Sequence, residues 1–149
     1  MLLKKVGIDP IGVYEKPVRD KAPLLIKNVN GIKVAILSYA YGYNGLESNL
    51  TDKEVTDHLS NLDEKRMKAE IQRAEKEADI TVIMPQMGVE YRLEPTDEQV
   101  KLYHKMIDWG ADIILEVILM WLSLQRWLKR MGSKNLLFTQ WGILSLTSA

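Results

Sequence analysis

Gln86, Glu90 and Tyr91 are the residues whose types and spacing first suggest chemistry: an amide, a carboxylate and a phenol within one short stretch, DITVIMPQMGVEY from Asp79 to Tyr91. They follow Ile80, Val82 and Ile83, an apolar run rich in β-branched side chains that reads as a buried strand. In an open α/β sheet, ligands bind outside the C-terminal ends of the strands, so Pro85 to Tyr91 is the first surface to consider. A second set, Tyr39, Tyr41 and Asn44, lies in the loop YAYGYNG, where phenolic hydroxyls beside glycines can meet a polar ligand. The plain alternative is that both sets are loop residues packed over a core, and pattern alone favours it.

The remaining chemistry is narrowed by what the chain lacks. It has no cysteine, which removes disulfides, thiolate metal sites and thiol nucleophiles. Of its 2 histidines, His58 has no metal-ligand spacing around it and reads as a solvated surface residue, while His104 falls off the apolar stripe of its helix. The 20 basic and 20 acidic side chains cancel, so no net field draws the chain to nucleic acid. The opening MLLKKVGIDP carries no apolar stretch of signal-peptide length before Asp9 and Pro10. At 149 residues the chain accommodates one domain.

The elements that must position these residues follow from the pattern. Leu2 to Val6 reads as the end of a helix running into Gly7, and Asp9 to Ala22 as a loop. Leu24 to Val29, Asn30-Gly31 and Ile32 to Tyr39 form a hairpin, because Asn-Gly supplies the two positive φ values of a type I′ turn. Leu46 to Asp63 reads as loop or broken helix. From Asp63 to Ala78 a helix is expected, with Met67, Ile71, Ala74 and Ala78 inward, the charges on a solvated face, Asn61 and Glu64 as a capping box, and Glu64 paired with Lys68. Thr96 and Gln99 cap a second helix through Val100, Tyr103, Met106 and Ile107, ending at Gly110. Ala111 to Leu115 begins another strand. The order β-α-β-α-β from Ile32 onward predicts parallel strands covered by helices.

After Leu115 the chain changes character. Nineteen of the 20 acids precede it, the last is Glu116, and the following 33 residues contain none. At the earlier density about five would be expected there. The same stretch holds Trp121, Trp127 and Trp141, three of the 4 tryptophans, and Phe138, the only phenylalanine.

Residues 7–115 resemble the bacterial capsule-synthesis family called CapA, the poly-γ-glutamate capsule proteins. The resemblance rests on GIDPIGVYEKP, VNGIKVAILSYAYGYNG, MGVEY followed by EPTDEQ, and GADII. Members typically continue GADIIFGGHPHVVEP and later IYSMGNFISNQR, where this chain reads GADIILEVILMWLSL. Leu115 to Leu124 can be encoded as TTG GAG GTC ATC CTC ATG TGG TTG AGC CTT. One T restored in front gives TTT GGA GGT CAT CCT CAT GTG GTT GAG CCT, which translates as FGGHPHVVEP. The same shift turns Phe138 to Ala149 into YSMGNFISNQR, although Met120, Trp121 and Trp141 have single codons. We therefore expect a partial CapA-like domain over 1–115 and an out-of-frame tail over 116–149. The alternative is a genuine amphipathic tail, with Trp121, Leu124, Trp127, Leu128 and Met131 on one face and basic residues toward lipid headgroups or a partner.

The resemblance implies an α/β fold of the calcineurin-like metallophosphoesterase type, here a partial sheet with flanking helices. In that class Asp and His from strand-end loops hold two divalent metals that activate water. The early Asp and His motifs are expected upstream of residue 1, and relatives often read HWGVEY where this chain has Gln86 to Tyr91. Gln86 thus stands where they place an imidazole. No catalytic, cofactor or metal residue is assigned, and activity is not expected of the chain as written. Tyr39, Tyr41, Asn44, Gln86, Glu90 and Tyr91 are expected to line what remains of the cleft. The resemblance also implies a polyglutamate or capsule polymer as partner and an envelope location. Membrane association would come through an upstream segment or the tail.

Overall fold

The Asn30-Gly31 turn sets the first pairing. In a computed structural model, which describes residues 2–18, 22–87 and 95–116 together with the backbone of 136–139 and 142–143, Asn30 has φ 54° and Gly31 φ 93°. These left-handed values match the twist of a two-residue hairpin. They join β1 (Leu25–Val29) to β2 (Ile32–Ala40), antiparallel, with Val29 opposite Ile32 and Leu25 opposite Ile36. A short helix, α1 (Leu2–Lys5), precedes them.

Next come a 3₁₀ turn at Leu46–Asn49 and helices α2 (Asp52–His58) and α3 (Glu64–Glu77). Strand β3 (Ile80–Gln86) follows, then α4 (Asp97–Asp108) and β4 (Ile113–Leu115). β2, β3 and β4 are parallel, with Ala40 opposite Gln86 and Ile83 opposite Ile114. The expected succession of parallel strands and helices is therefore present. The sheet continues beyond Leu115: β5 (Leu136–Thr139) lies parallel to β4, and β6 (Gly142–Ile143) antiparallel to β5. The order is β1-β2-β3-β4-β5-β6. The fold is α/β, a mixed sheet with flanking helices.

The core is built by the inward faces of these elements. Ala35, Leu37, Tyr39, Ile83 and Ile114 from the sheet meet Met67, Ile71 and Ala74 of α3 and Tyr103 and Met106 of α4. Both helices start at side-chain caps. Thr96 and Gln99 form the expected capping box, and Gly110, φ 115°, ends the turn after α4. A Cβ at Gly110 would lie 2.9 Å from Cβ and Cγ of Glu75, so both conformation and space require glycine.

Several local expectations are corrected. The cap of α3 is Asp63, whose Oδ1 accepts from Arg66 N at 2.7 Å, and not Asn61, which forms a parallel bridge with Ala40. Glu64 reaches across to Lys105 Nζ at 2.6 Å rather than pairing along its own helix with Lys68. Of the two alternatives for Leu46 to Asp63, the broken helix is present, as the 3₁₀ turn followed by α2 with its full Thr51/Glu54 capping box. His58 is half-buried, its Nδ1 2.8 Å from the Tyr14 carbonyl, so it ties down the N-terminal loop instead of lying in solvent.

These caps yield a direct comparison. Asp63→Ala is expected to destabilise the chain by about 1 kcal/mol in urea unfolding, while Asn61→Ala leaves the helix start intact. Gly110→Ala should cost roughly 1–2 kcal/mol or more, from the left-handed backbone and the Glu75 contact together.

Candidate functional site

The C-terminal ends of β2, β3 and β4 bring together the segments singled out in the sequence. Tyr41 N donates to Gln86 O at 2.8 Å, extending the ladder by one step and setting the first loop beside the second. Tyr41 and Gln86 are both exposed, Tyr41 at 81%. Asn44, φ 56°, and Gly45, φ 78°, turn the loop, and Glu47 holds it by accepting from Tyr43 N at 3.1 Å. Glu90 and Tyr91 lie outside the described residues.

Tyr39 is not part of that surface. Its side chain points into the core at 1% exposure, and its hydroxyl donates to Glu70 Oε2 at 2.8 Å. The phenol's pKa is pushed far up, first by burial and then by the neighbouring Glu70 charge. The reason for the correction is strand alternation: Tyr39 shares a face with Ala35 and Leu37, which points into the core toward α3.

Glu70 is itself the residue that sequence reasoning missed. It is 4% exposed on α3, and Arg66 Nε donates to its Oε1 at 2.9 Å. Arg66 Nη1 also donates to the carbonyls of Thr56 at 3.1 Å and Leu59 at 3.0 Å, while its Nη2 is buried without a partner. The helix face read as solvated thus carries a buried ion pair. A signal was present, since Glu70 stands three residues after Met67 and one before Ile71, inside the apolar stripe.

Tyr43 is half-buried with its hydroxyl 3.4 Å from Ser60 O, and its pKa is raised mainly by burial. At the end of β4, Glu116 has its carboxyl pKa raised by burial, partly offset by the Tyr103 hydroxyl. Tyr103 is raised by burial and then by Glu116, yet its Oη makes no hydrogen bond of ordinary geometry.

The described residues at the strand ends do not make up a two-metal centre. Among the described residues no group of three or more His, Cys, Asp or Glu could hold a metal ion. Gln86 supplies a neutral amide, and Glu116 is turned toward Tyr103, whereas hard or borderline divalent ions call for several carboxylates or imidazoles.

The architecture is that of an α/β protein with Tyr41 and Gln86 exposed at the C-terminal ends of β2 and β3. Residues 1–115 match the family described as bacterial capsule synthesis protein PGA_cap, and the chain belongs to that family. It is 30% identical over 116 residues to the capsule biosynthesis protein CapA of Bacillus anthracis, covering 75% of this chain and 27% of that protein. Against the PGA biosynthesis protein CapA of Bacillus subtilis (strain 168) it is 31% identical over 111 residues, covering 74% and 28%. The chain thus spans about a quarter of the length of these relatives.

Two substitutions separate core from surface. Tyr39→Phe strands Glu70 Oε2 and should cost about 1–3 kcal/mol, while Tyr41→Ala should stay within roughly 0.5 kcal/mol, both read by chemical denaturation. For Glu116, burial raises the folded pKa above the ordinary 4.5. The stabilisation from its protonated form is full below that value and is lost as pH rises through the raised one. Glu116→Gln should flatten this fall in stability above about pH 4.5, as measured by urea midpoints across the acid range.

Proposed function

We propose that this chain is part of a capsule or poly-γ-glutamate biosynthesis protein resembling metallophosphoesterases, that residues 116–149 are read out of frame, and that the chain as written has no phosphoesterase activity. One observation carries the reading: the family match stops at residue 115, where the acids run out and a single restored base yields two family motifs. A polyglutamate or capsule polymer is the partner proposed for the whole protein, and the cell envelope its place. No described helix is long and apolar enough to cross a membrane.

A second reading is favoured by the pairing of β5 with β4. In it, the tail is genuine structure, and the chain is a small binding module that presents Tyr41 and Asn44 to a polar or polymeric ligand while the tail meets a membrane or partner.

The coding DNA separates the two. On the first reading, the frame entered by adding one T before the Glu116 codon continues FGGHPHVVEP and later YSMGNFISNQR; codons that encode anything else there overturn it. Titration calorimetry with manganese then tests the inactivity. No stoichiometric micromolar site is expected, and a site abolished by Gln86→Ala would show that the strand ends still bind metal.

A further inference from the structure

The chain contains Asn-Gly twice, at Asn30-Gly31 and Asn44-Gly45, and the fold treats the two differently. All four residues are exposed, and at both glycines the space around the missing Cβ is open, with nothing within 4 Å. Glycine leaves its own amide nitrogen unhindered toward the preceding side chain. That nitrogen can attack the asparagine Cγ.

What differs is the hydrogen on the nitrogen. Gly31 N donates to Asn28 Oδ1 at 2.9 Å, inside a turn whose flanking residues Val29 and Ile32 are paired in the ladder. Gly45 N has no hydrogen-bond partner among the described residues; the bonds around it run instead from Leu46 N to Tyr43 O and from Ser48 N and Oγ to Gly45 O. A proton held by a neighbouring carbonyl is shielded from hydroxide, and a backbone held by strand pairing resists the rotation that brings nitrogen to Cγ.

We propose that Asn44 is a site of spontaneous deamidation, and that Asn30, in the same dipeptide, is protected by the side chain of Asn28. The Gly45 nitrogen gives its proton to hydroxide and bonds to Asn44 Cγ. The Cγ–Nδ2 bond breaks, and ammonia leaves with a proton from water. One water then opens the succinimide at either carbonyl, leaving aspartate or isoaspartate. The net change is one water consumed and one ammonia released, with no redox step. The product places a new carboxylate, and in the isoaspartyl form an extra backbone methylene, in the loop leaving β2 beside Tyr41.

The test is peptide mapping of the full chain, with isoaspartate detection, during incubation at mildly alkaline pH, alongside the chain unfolded in urea. In the folded chain Asn44 should convert several-fold faster than Asn30, and in urea the two should converge. Asn28→Ala should speed Asn30 several-fold in the folded chain only, whereas Asn28→Asp, which keeps an acceptor oxygen, should preserve the protection. Equal rates at Asn30 and Asn44 in the folded chain would overturn the proposal, as would an Asn30 rate indifferent to Asn28→Ala.

Discussion

The carboxylate of Glu70 is the point on which the packing of this fold turns. It takes a hydrogen bond from Tyr39 on β2 and another from Arg66 one helical turn earlier, and Arg66 in turn clasps the carbonyls of Thr56 and Leu59. One buried charge pair therefore connects strand β2, helix α3 and the end of α2. Such a pair adds little net stability over an apolar substitute, because desolvation offsets most of the Coulomb gain. Losing a single member is another matter, since the remaining charge is then buried alone at a cost of about 3–5 kcal/mol. The network therefore specifies one arrangement of these elements more than it strengthens it.

From that anchor the N-terminal loop is positioned at one remove. Ser60 N donates to Gly12 O, Tyr14 N to His58 O, and Val18 N to Asp57 O, so the loop is pinned to the segment that Arg66 holds. Ala40 N reaches Ser60 O on the same segment, which continues alongside β2. The end of β2, and with it Tyr41 beside Gln86, owes its placement to this chain of backbone contacts. Family membership and geometry meet at that edge. The match covers about a quarter of the length of the capsule-synthesis relatives, and the described strand ends present polar side chains without the donors of a metal centre.

Local grammar made much of the fold legible. Asn30-Gly31 could be read as a type I′ turn because few other residue pairs adopt two positive φ values, and Thr96 with Gln99 as a cap because those side chains satisfy amides that a helix start leaves open. The apolar run at Ile80 to Ile83 reads as a strand buried on both faces, as strands of a parallel sheet are when crossover helices cover it. The same grammar was present but unread at Thr51 and Glu54, where α2 begins inside a polar stretch that offers no apolar stripe to draw attention.

The sequence by itself made legible the Asn30-Gly31 hairpin, α3, α4 and the parallel core of the sheet, because turn conformers, caps and apolar periodicity act over a few residues, and its motifs pointed to the family of residues 1–115. Tertiary structure decided what the polar side chains outside the helix caps do. Tyr39 and Tyr41 are two residues apart and alike in chemistry, yet one is bonded to Glu70 in the core and the other is in solvent beside Gln86. Glu70 reads as another charge on a helix until Tyr39, thirty-one positions away, is brought against it. His58, likewise, becomes a tether only when the Tyr14 carbonyl arrives from forty-four positions away. These three partners come from contacts between distant segments, which a pattern over a few residues does not specify.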